Sequence, residues 1–110
     1  MNEEIIKQVL AFRRNRNWEQ FHNPKDLAIS LSIEASELLE NFQWKTSEEA
    51  LESKKESIAD ELADVLIYAI YLADTMDLNI DDVILNKMAK NEAKYPIEKA
   101  FGRKDKYTDL

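Results

Sequence analysis

Apolar residues recur every three to four positions along most of the chain, and this spacing predicts helices. Residues 3–14 show the pattern and form the first predicted helix. The next stretch, 13–23, breaks it with three Asn residues and is predicted to be a loop. Asn23-Pro24 then starts a second helix, because Asn is a favoured N-cap and Pro suits the first helical position. This helix is predicted to run to about Phe42.

Two further helices follow the same rules. Thr46 has Glu49 three residues later, a capping box, so the third helix is predicted to start there and to run to about Met76. The fourth is predicted to start at Asn79 and to stop at Tyr95, because a proline follows.

The pattern predicts an all-α fold, a four-helix bundle in a single domain over residues 1–110, with 95–110 as a polar C-terminal tail. One Gly and two Pro leave little turn chemistry for an all-β fold. The second predicted helix is apolar on two sides, and the third nearly all round. A chain this short buries a limited core, so a homo-oligomer, a dimer or tetramer, is expected.

Acidic residues interrupt the apolar helices in a regular way. In the third helix, Glu61, Asp64 and Tyr68 fall in one narrow sector, since helical residues turn by about 100° each. In the second helix, Glu34 lies at the edge of the apolar stripe, and Glu37 lies one turn further on. Acids on helices usually form solvated faces. The apolar surroundings of Glu61 and Asp64 do not suit that explanation.

Two such acid pairs on neighbouring bundle helices would bring four carboxylates together. Like charges in a partly dry site need cations, and all-oxygen ligand sets favour Mg²⁺, Ca²⁺ or Mn²⁺. Di-iron bundle proteins typically use Glu-x-x-His instead. Neither pair ends in His, and the one histidine, His22, is in the predicted loop, so di-iron chemistry is disfavoured.

The amino-acid composition limits the classes of molecule that the protein is expected to bind. The net charge of -7 disfavours nucleic-acid strands and anionic membranes, which would repel the protein. A small phosphorylated ligand remains possible if a cation intervenes. The absence of Cys excludes disulfides and thiol chemistry. No basic-plus-apolar signal pattern begins the sequence and no apolar run is long enough for a membrane span, so a cytoplasmic protein is expected.

The order Glu34-x-x-Glu37, 23 residues, Glu61-x-x-Asp64 resembles the E-x-x-E…E-x-x-D signature of the MazG-like all-α nucleoside triphosphate pyrophosphohydrolases. The flanking stretches NWEQFHNPKDLAISLSIEASELLENFQWKT and DELADVLIYAIYLAD are similar to the dCTP pyrophosphatase branch of that family. KMAKNEAKYP and RKDKYTDL extend the likeness over residues 9–110.

The resemblance implies hydrolysis of a nucleoside triphosphate between its α- and β-phosphates, with dCTP and its modified forms as the first candidates. It implies Mg²⁺, with Mn²⁺ as a substitute, and nucleotide-pool cleaning as the role. The four acids would be the catalytic metal ligands. The substrate would be bound by residues matched to the family by position: Trp18, His22 and Trp44 around the base and sugar, Tyr68 facing the nucleotide, and Lys87, Asn91, Lys94 and Tyr95 near the phosphates.

Plainer roles for these residues stay open. Trp18, Trp44 and Tyr68 could be core aromatics, His22 an ordinary loop residue, and the lysines of the fourth helix a basic face. A phosphoribosyl-ATP pyrophosphohydrolase is an alternative, although the aromatic stretches NWEQFH and FQW count against it. A non-catalytic helical binding module is another.

Overall fold

Five α-helices and two short 3₁₀ turns make up the chain, and no strand is present. The computed structural model describes residues 1–110. The predicted all-α fold class is therefore confirmed. By packing, the chain divides into two compact units, residues 1–78 and 79–110. The single domain over the whole chain stays a prediction.

Three helices form the first unit, and each starts where the sequence predicts. They are α1 (Glu3–Asn15), α2 (Pro24–Glu40) and α3 (Ser47–Thr75). At the start of α2, the side chain of Asn23 accepts the Asp26 N–H at 2.9 Å. At the start of α3, Thr46 and Glu49 form the predicted capping box. These caps satisfy N–H groups that have no partner inside the helix.

The helices of the first unit pack mainly through α3. The most extensive contact is between α2 and α3, and α1 packs on α3 as well. The fully enclosed apolar core is small: Leu27, Ala50, Ile70 and Tyr71. Several apolar residues that the sequence assigns to buried faces are about half exposed in the single chain, including Ile29, Ile33, Leu62 and Leu66.

A buried arginine connects α1 to the end of α3. Arg13 forms an ion pair with Asp74, and its guanidinium lies 3.4 Å from the Thr75 hydroxyl and 5.0 Å from the centre of the Tyr71 ring. The predicted loop over 13–23 is therefore wrong at its start, because α1 continues to Asn15 and keeps Arg13 inside the unit. A 3₁₀ turn, Trp18–Phe21, also falls within this stretch.

The second unit contains α4 (Ile80–Lys94), the short α5 (Ile97–Ala100) and a 3₁₀ turn, Tyr107–Asp109. The predicted polar tail has more structure than expected. The Tyr95 hydroxyl accepts the Tyr107 N–H at 3.2 Å, and the two rings meet edge to face. This contact folds the C-terminal residues back onto the end of α4. Across the whole chain, no helix combines the length and the apolar character that a membrane span requires.

Candidate metal and nucleotide site

The packing of α2 on α3 brings the predicted acids together. Carboxylate oxygens of Glu34, Glu61 and Asp64 all lie within 4.8 Å of one another. Each helix supplies acids three residues apart, and this spacing keeps both on the same face. Glu37 interacts with Glu34 and Glu61 from the same side of α2. We call these four residues the carboxylate cluster.

Crowding and partial burial change how the cluster titrates. The pKa of Glu34 rises from 4.5 to about 7. Burial is the largest cause, followed by the hydrogen bond with Glu37 and the charges of Glu37, Asp64 and Glu61. Burial and the Glu37 carboxyl also raise the pKa of Glu61. Near neutral pH a part of the Glu34 carboxyls in the metal-free protein therefore retains a proton that an isolated glutamate would lose.

Two oxygens of the cluster lack any partner. Oε2 of Glu34 and Oε2 of Glu61 are both buried and form no hydrogen bond. A buried acceptor without a partner is costly, and several facing one another are more so. A divalent cation would satisfy both oxygens and offset the repulsion. The cluster therefore fits a hard metal ion held by Glu34, Glu61 and Asp64, with Glu37 beside it.

An aromatic cavity of about 320 Å³ opens beside the cluster. Asp64 and Tyr68 line it, so the cavity directly adjoins the carboxylate cluster. The rest of its wall comes from α1, α3 and the 3₁₀ turn: Gln8, Val9, Phe12, Trp18, Ile67 and Tyr71. Burial is the main cause of the raised pKa of Tyr68, and the nearby acids add to it, so its hydroxyl stays protonated and can donate. A flat apolar ring fits the chemistry of this wall.

Trp18 stands at the open side of this cavity. Its ring meets Phe12 edge to face at 5.7 Å, and the Arg16 guanidinium lies 3.5 Å from the centre of the Phe12 ring. Because 42% of Trp18 remains exposed, its indole is free to contact a ligand.

His22 contacts a residue of the cavity wall but does not line the cavity itself. Its ring is 5.3 Å from the Tyr71 ring, and Tyr71 lines the cavity while His22 does not. Burial is the main cause of its lowered pKa, and the Arg13 cation lowers the pKa further. His22 is thus a neutral group that backs Tyr71.

Trp44 does not line the aromatic cavity. It is 92% exposed, and its φ of 63° is left-handed, an uncommon conformation for a bulky residue. It lines a second cavity together with Glu37 and Glu61. Within one chain, the structure does not bring Trp18 and Trp44 to the same cavity.

The four predicted phosphate residues belong to the second unit. Lys87, Asn91 and Lys94 follow one another along α4 at spacings of four and three residues, and Tyr95 ends that helix. Two of them already have contacts in this unit. Lys94 places its ammonium group 4.8 Å from the centre of the Tyr107 ring, and Tyr95 binds the Tyr107 backbone.

Sequence reasoning missed most of the aromatic cavity. Val9 and Phe12 were predicted only as apolar positions of the first helix, and Gln8, Tyr71 and Arg13 were given no role. The available signal was the apolar stripe of α1, which must face something on α3. The apolar face of α1 stays partly open beside the acids because of the angle at which α1 packs on α3. The apolar stripe in the sequence does not specify that angle.

Known proteins with similar sequences and structures point to one family. The MazG-like family matches residues 29–110. The chain belongs to the MazG-like family. It is 37% identical to dCTP pyrophosphatase 1 of Bos taurus over 98% of this chain and 67% of that protein. It is also 37% identical to dCTP pyrophosphatase 1 of Homo sapiens over 98% of this chain and 66% of that protein. The chain thus spans about two thirds of the length of these relatives.

A solved structure gives the same result for the fold. A crystal structure of a pyrophosphatase from Archaeoglobus fulgidus superposes with a TM-score of 0.79 at 46% identity, covering 86% of this chain and 91% of that one. The predicted resemblance to the MazG-like family is confirmed.

The first prediction concerns metal binding by this MazG-like protein. Adding Mg²⁺ is expected to raise its melting temperature, because a ligand that binds only the folded state stabilises it. Asp64→Asn keeps the shape and removes one charge from the cluster. Without Mg²⁺ the variant should be at least as stable as the parent, and with Mg²⁺ it should gain much less. Thermal melts across a Mg²⁺ titration measure both effects.

Glu56→Gln is the matched control, because Glu56 is an exposed acid on the same helix outside the cluster and is not among the charges that shift the pKa values of Glu34 and Glu61. It should keep the full response to Mg²⁺. A parent whose melting temperature ignores Mg²⁺ would contradict the metal site. An Asp64→Asn variant destabilised equally with and without Mg²⁺ would make Asp64 a structural residue instead.

The second prediction follows from the pKa of Glu34. A carboxyl whose pKa is raised on folding contributes stability below pH 4.5 and loses that contribution as pH rises through about 7. The metal-free protein should therefore lose stability over this range, and Glu34→Gln should lose less. Because Mg²⁺ competes with the Glu34 proton, its stabilising effect should be clearly larger at about pH 8 than at about pH 6. Equal Mg²⁺ effects at both pH values would contradict this reading.

Proposed function

We propose that this MazG-like protein is a Mg²⁺-dependent nucleoside triphosphate pyrophosphohydrolase that converts a deoxynucleoside triphosphate to the monophosphate and pyrophosphate. The observation that carries the proposal is the carboxylate cluster beside a cavity with an aromatic wall. One part suits a metal-bound polyphosphate, and the other suits a base. The relatives are themselves named dCTP pyrophosphatases or a pyrophosphatase, so the predicted enzyme class, a nucleoside triphosphate pyrophosphatase, is confirmed.

The acids of the cluster have distinct tasks in this proposal. Glu34, Glu61 and Asp64 hold Mg²⁺, for which Mn²⁺ can substitute. When bound, the ion neutralises the polyphosphate, which the acidic protein would otherwise repel. A water oxygen attacks the α-phosphorus, and the bond between that phosphorus and the bridging oxygen breaks. Glu34 or Glu37 accepts the proton of the water.

The base is held in the aromatic cavity. Trp18 offers a ring face, and the Tyr68 hydroxyl donates a hydrogen bond toward the sugar or phosphate next to Asp64. Tyr71 is buried and contributes only to the wall of the cavity. His22 positions Tyr71 from behind. Lys87, Asn91, Lys94 and Tyr95 keep their proposed place near the phosphates through the family resemblance. Trp44 lines the second cavity and is proposed to contact the substrate from there rather than beside Trp18.

The substrate proposed first is dCTP, with its modified forms next, acted on in the cytoplasmic nucleotide pool. This choice rests on the dCTP pyrophosphatase relatives. Hydrolysis of phosphoribosyl-ATP is the alternative within the same chemistry. The cavity would then have to accommodate a larger base and an additional phosphate.

The third prediction tests the activity. With Mg²⁺ present, the protein should release pyrophosphate from dCTP faster than from the other common nucleoside triphosphates or phosphoribosyl-ATP. Trp18→Ala should raise KM for dCTP, because the loss of one base–aromatic stack is worth about 1–3 kcal/mol. A coupled pyrophosphate assay over a nucleotide panel measures both results.

Phe21→Ala is the control, because Phe21 is an exposed aromatic of the same 3₁₀ turn that does not line the cavity. Its KM should match that of the parent. Trp44→Ala asks whether the second indole also contacts the base, in which case its KM should rise while the fold is retained. Failure to release pyrophosphate from any nucleotide would leave the non-catalytic binding module as the better account.

The fourth prediction is that the protein forms a homo-oligomer, a dimer or tetramer. Large apolar side chains of α2 and α3 are exposed in the single chain, among them Leu39 at 69% and Ile33 at 52%. Patches of this kind on neighbouring helices favour burial against another copy. Light scattering at micromolar concentration should give a multiple of the 12.9 kDa chain mass, and a monomer would contradict the proposal.

A further inference from the structure

A polar cavity of about 510 Å³ also adjoins the carboxylate cluster. Glu37 and Glu61 line it, whereas Asp64 lines the aromatic cavity. The cluster therefore adjoins two cavities of opposite character. The polar cavity contains two cations, Lys45 and Lys54, and the wall of the aromatic cavity contains no lysine or arginine.

Neither lysine forms an ion pair or a side-chain hydrogen bond that would stabilise the fold. Glu37, Glu40 and Glu61 line the same cavity, yet neither ammonium group forms an ion pair or a hydrogen bond with them or with any other residue. Lysine gains little from a bare surface location but binds phosphoryl oxygens well as a mobile point charge. Two free ammonium groups beside a metal-type cluster therefore have the chemistry of a polyphosphate site.

The backbone is irregular at one of these lysines. α3 departs from helical geometry at Lys54, where φ is −129° and ψ is 16°. No Pro or Gly lies between Ser53 and Glu56, but the Ser53 hydroxyl donates to the Glu49 carbonyl at 2.9 Å, a bond that often bends helices. The kink falls at a residue that lines the polar cavity.

We propose that the polar cavity is the pyrophosphate subsite, where Lys54 and Lys45 hold the β- and γ-phosphoryl groups. This inference rests on the proposed function. The base then lies in the aromatic cavity, the α-phosphorus lies at the carboxylate cluster, and the chain of phosphates extends toward the turn between α2 and α3. When the bridging bond breaks, its electron pair leaves with pyrophosphate, and the two ammonium groups stabilise that charge.

This arrangement predicts that the two products are bound by different residues. Lys54→Ala should weaken binding of inorganic pyrophosphate in the presence of Mg²⁺ by about 10- to 100-fold, as expected for the loss of a charged hydrogen bond. Its affinity for dCMP should stay within about twofold of the parent. Titration calorimetry with each product measures this, and Lys45→Ala should act in the same way.

Lys55→Ala is the matched control. It removes the same charge from the neighbouring position, which does not line the cavity, and both affinities should match those of the parent. Circular dichroism confirms that each variant is folded, and Lys54→Gln replaces Lys54→Ala if the latter is not.

Several results would overturn the subsite. These are a parent that binds no pyrophosphate, a Lys54→Ala variant indistinguishable from Lys55→Ala, or an equal loss of pyrophosphate and dCMP binding. Loss of pyrophosphate binding in Lys87→Ala but not in Lys54→Ala would assign the leaving group to α4 instead. If the parent still releases pyrophosphate from dCTP, only this inference fails. If it cleaves no nucleotide, the proposed function fails as well.

Discussion

Repulsion among four carboxylates is the constraint around which the first unit is built. The cluster exists because α2 and α3 each carry acids three residues apart and pack against each other along those faces. Apolar contacts between the helices oppose the repulsion, and the retained protons reduce it, as the pKa of about 7 for Glu34 indicates. The unit thus holds an arrangement that is unfavourable without a cation and favourable with one.

The aromatic cavity depends on a second interaction, the placement of α1. Arg13 is buried, is paired with Asp74 and lies against Tyr71, so one side chain connects α1, the end of α3 and the cavity wall. The His22 ring also packs near Tyr71, at 5.3 Å between ring centres. These contacts hold the wall of the aromatic cavity without using any residue of the cluster. The acids therefore remain available for the proposed metal and phosphates.

Much of the fold and of the carboxylate cluster could be predicted from the sequence. What could be predicted depends on residues close together in the chain, and what could not depends on contacts between distant residues. Helix starts are local events, so the caps at Asn23 and Thr46 placed α2 and α3 correctly. The acid spacing of the cluster is also local, and it placed all four carboxylates on facing helices. The role of Arg13 depends on Asp74, more than sixty residues away, and no local pattern joins them. For the same reason Trp18 and Trp44, alike in sequence, were not separable until the helix packing assigned them to different cavities.

The acidity of the protein and the anionic charge of a nucleotide become compatible once charge is considered site by site. The net charge of -7 is carried largely by exposed helix faces, and the cluster adds further negative charge where a triphosphate would bind. Under the proposed function, an unmetallated polyphosphate would be repelled and a metal-bound one would be admitted. The apolar wall of one cavity and the lysines of the other would then orient the substrate, because a base and a phosphate would not bind equally well in either cavity. The same field would disfavour nucleic-acid strands, since a strand would bring many phosphates to a surface that can neutralise only a few.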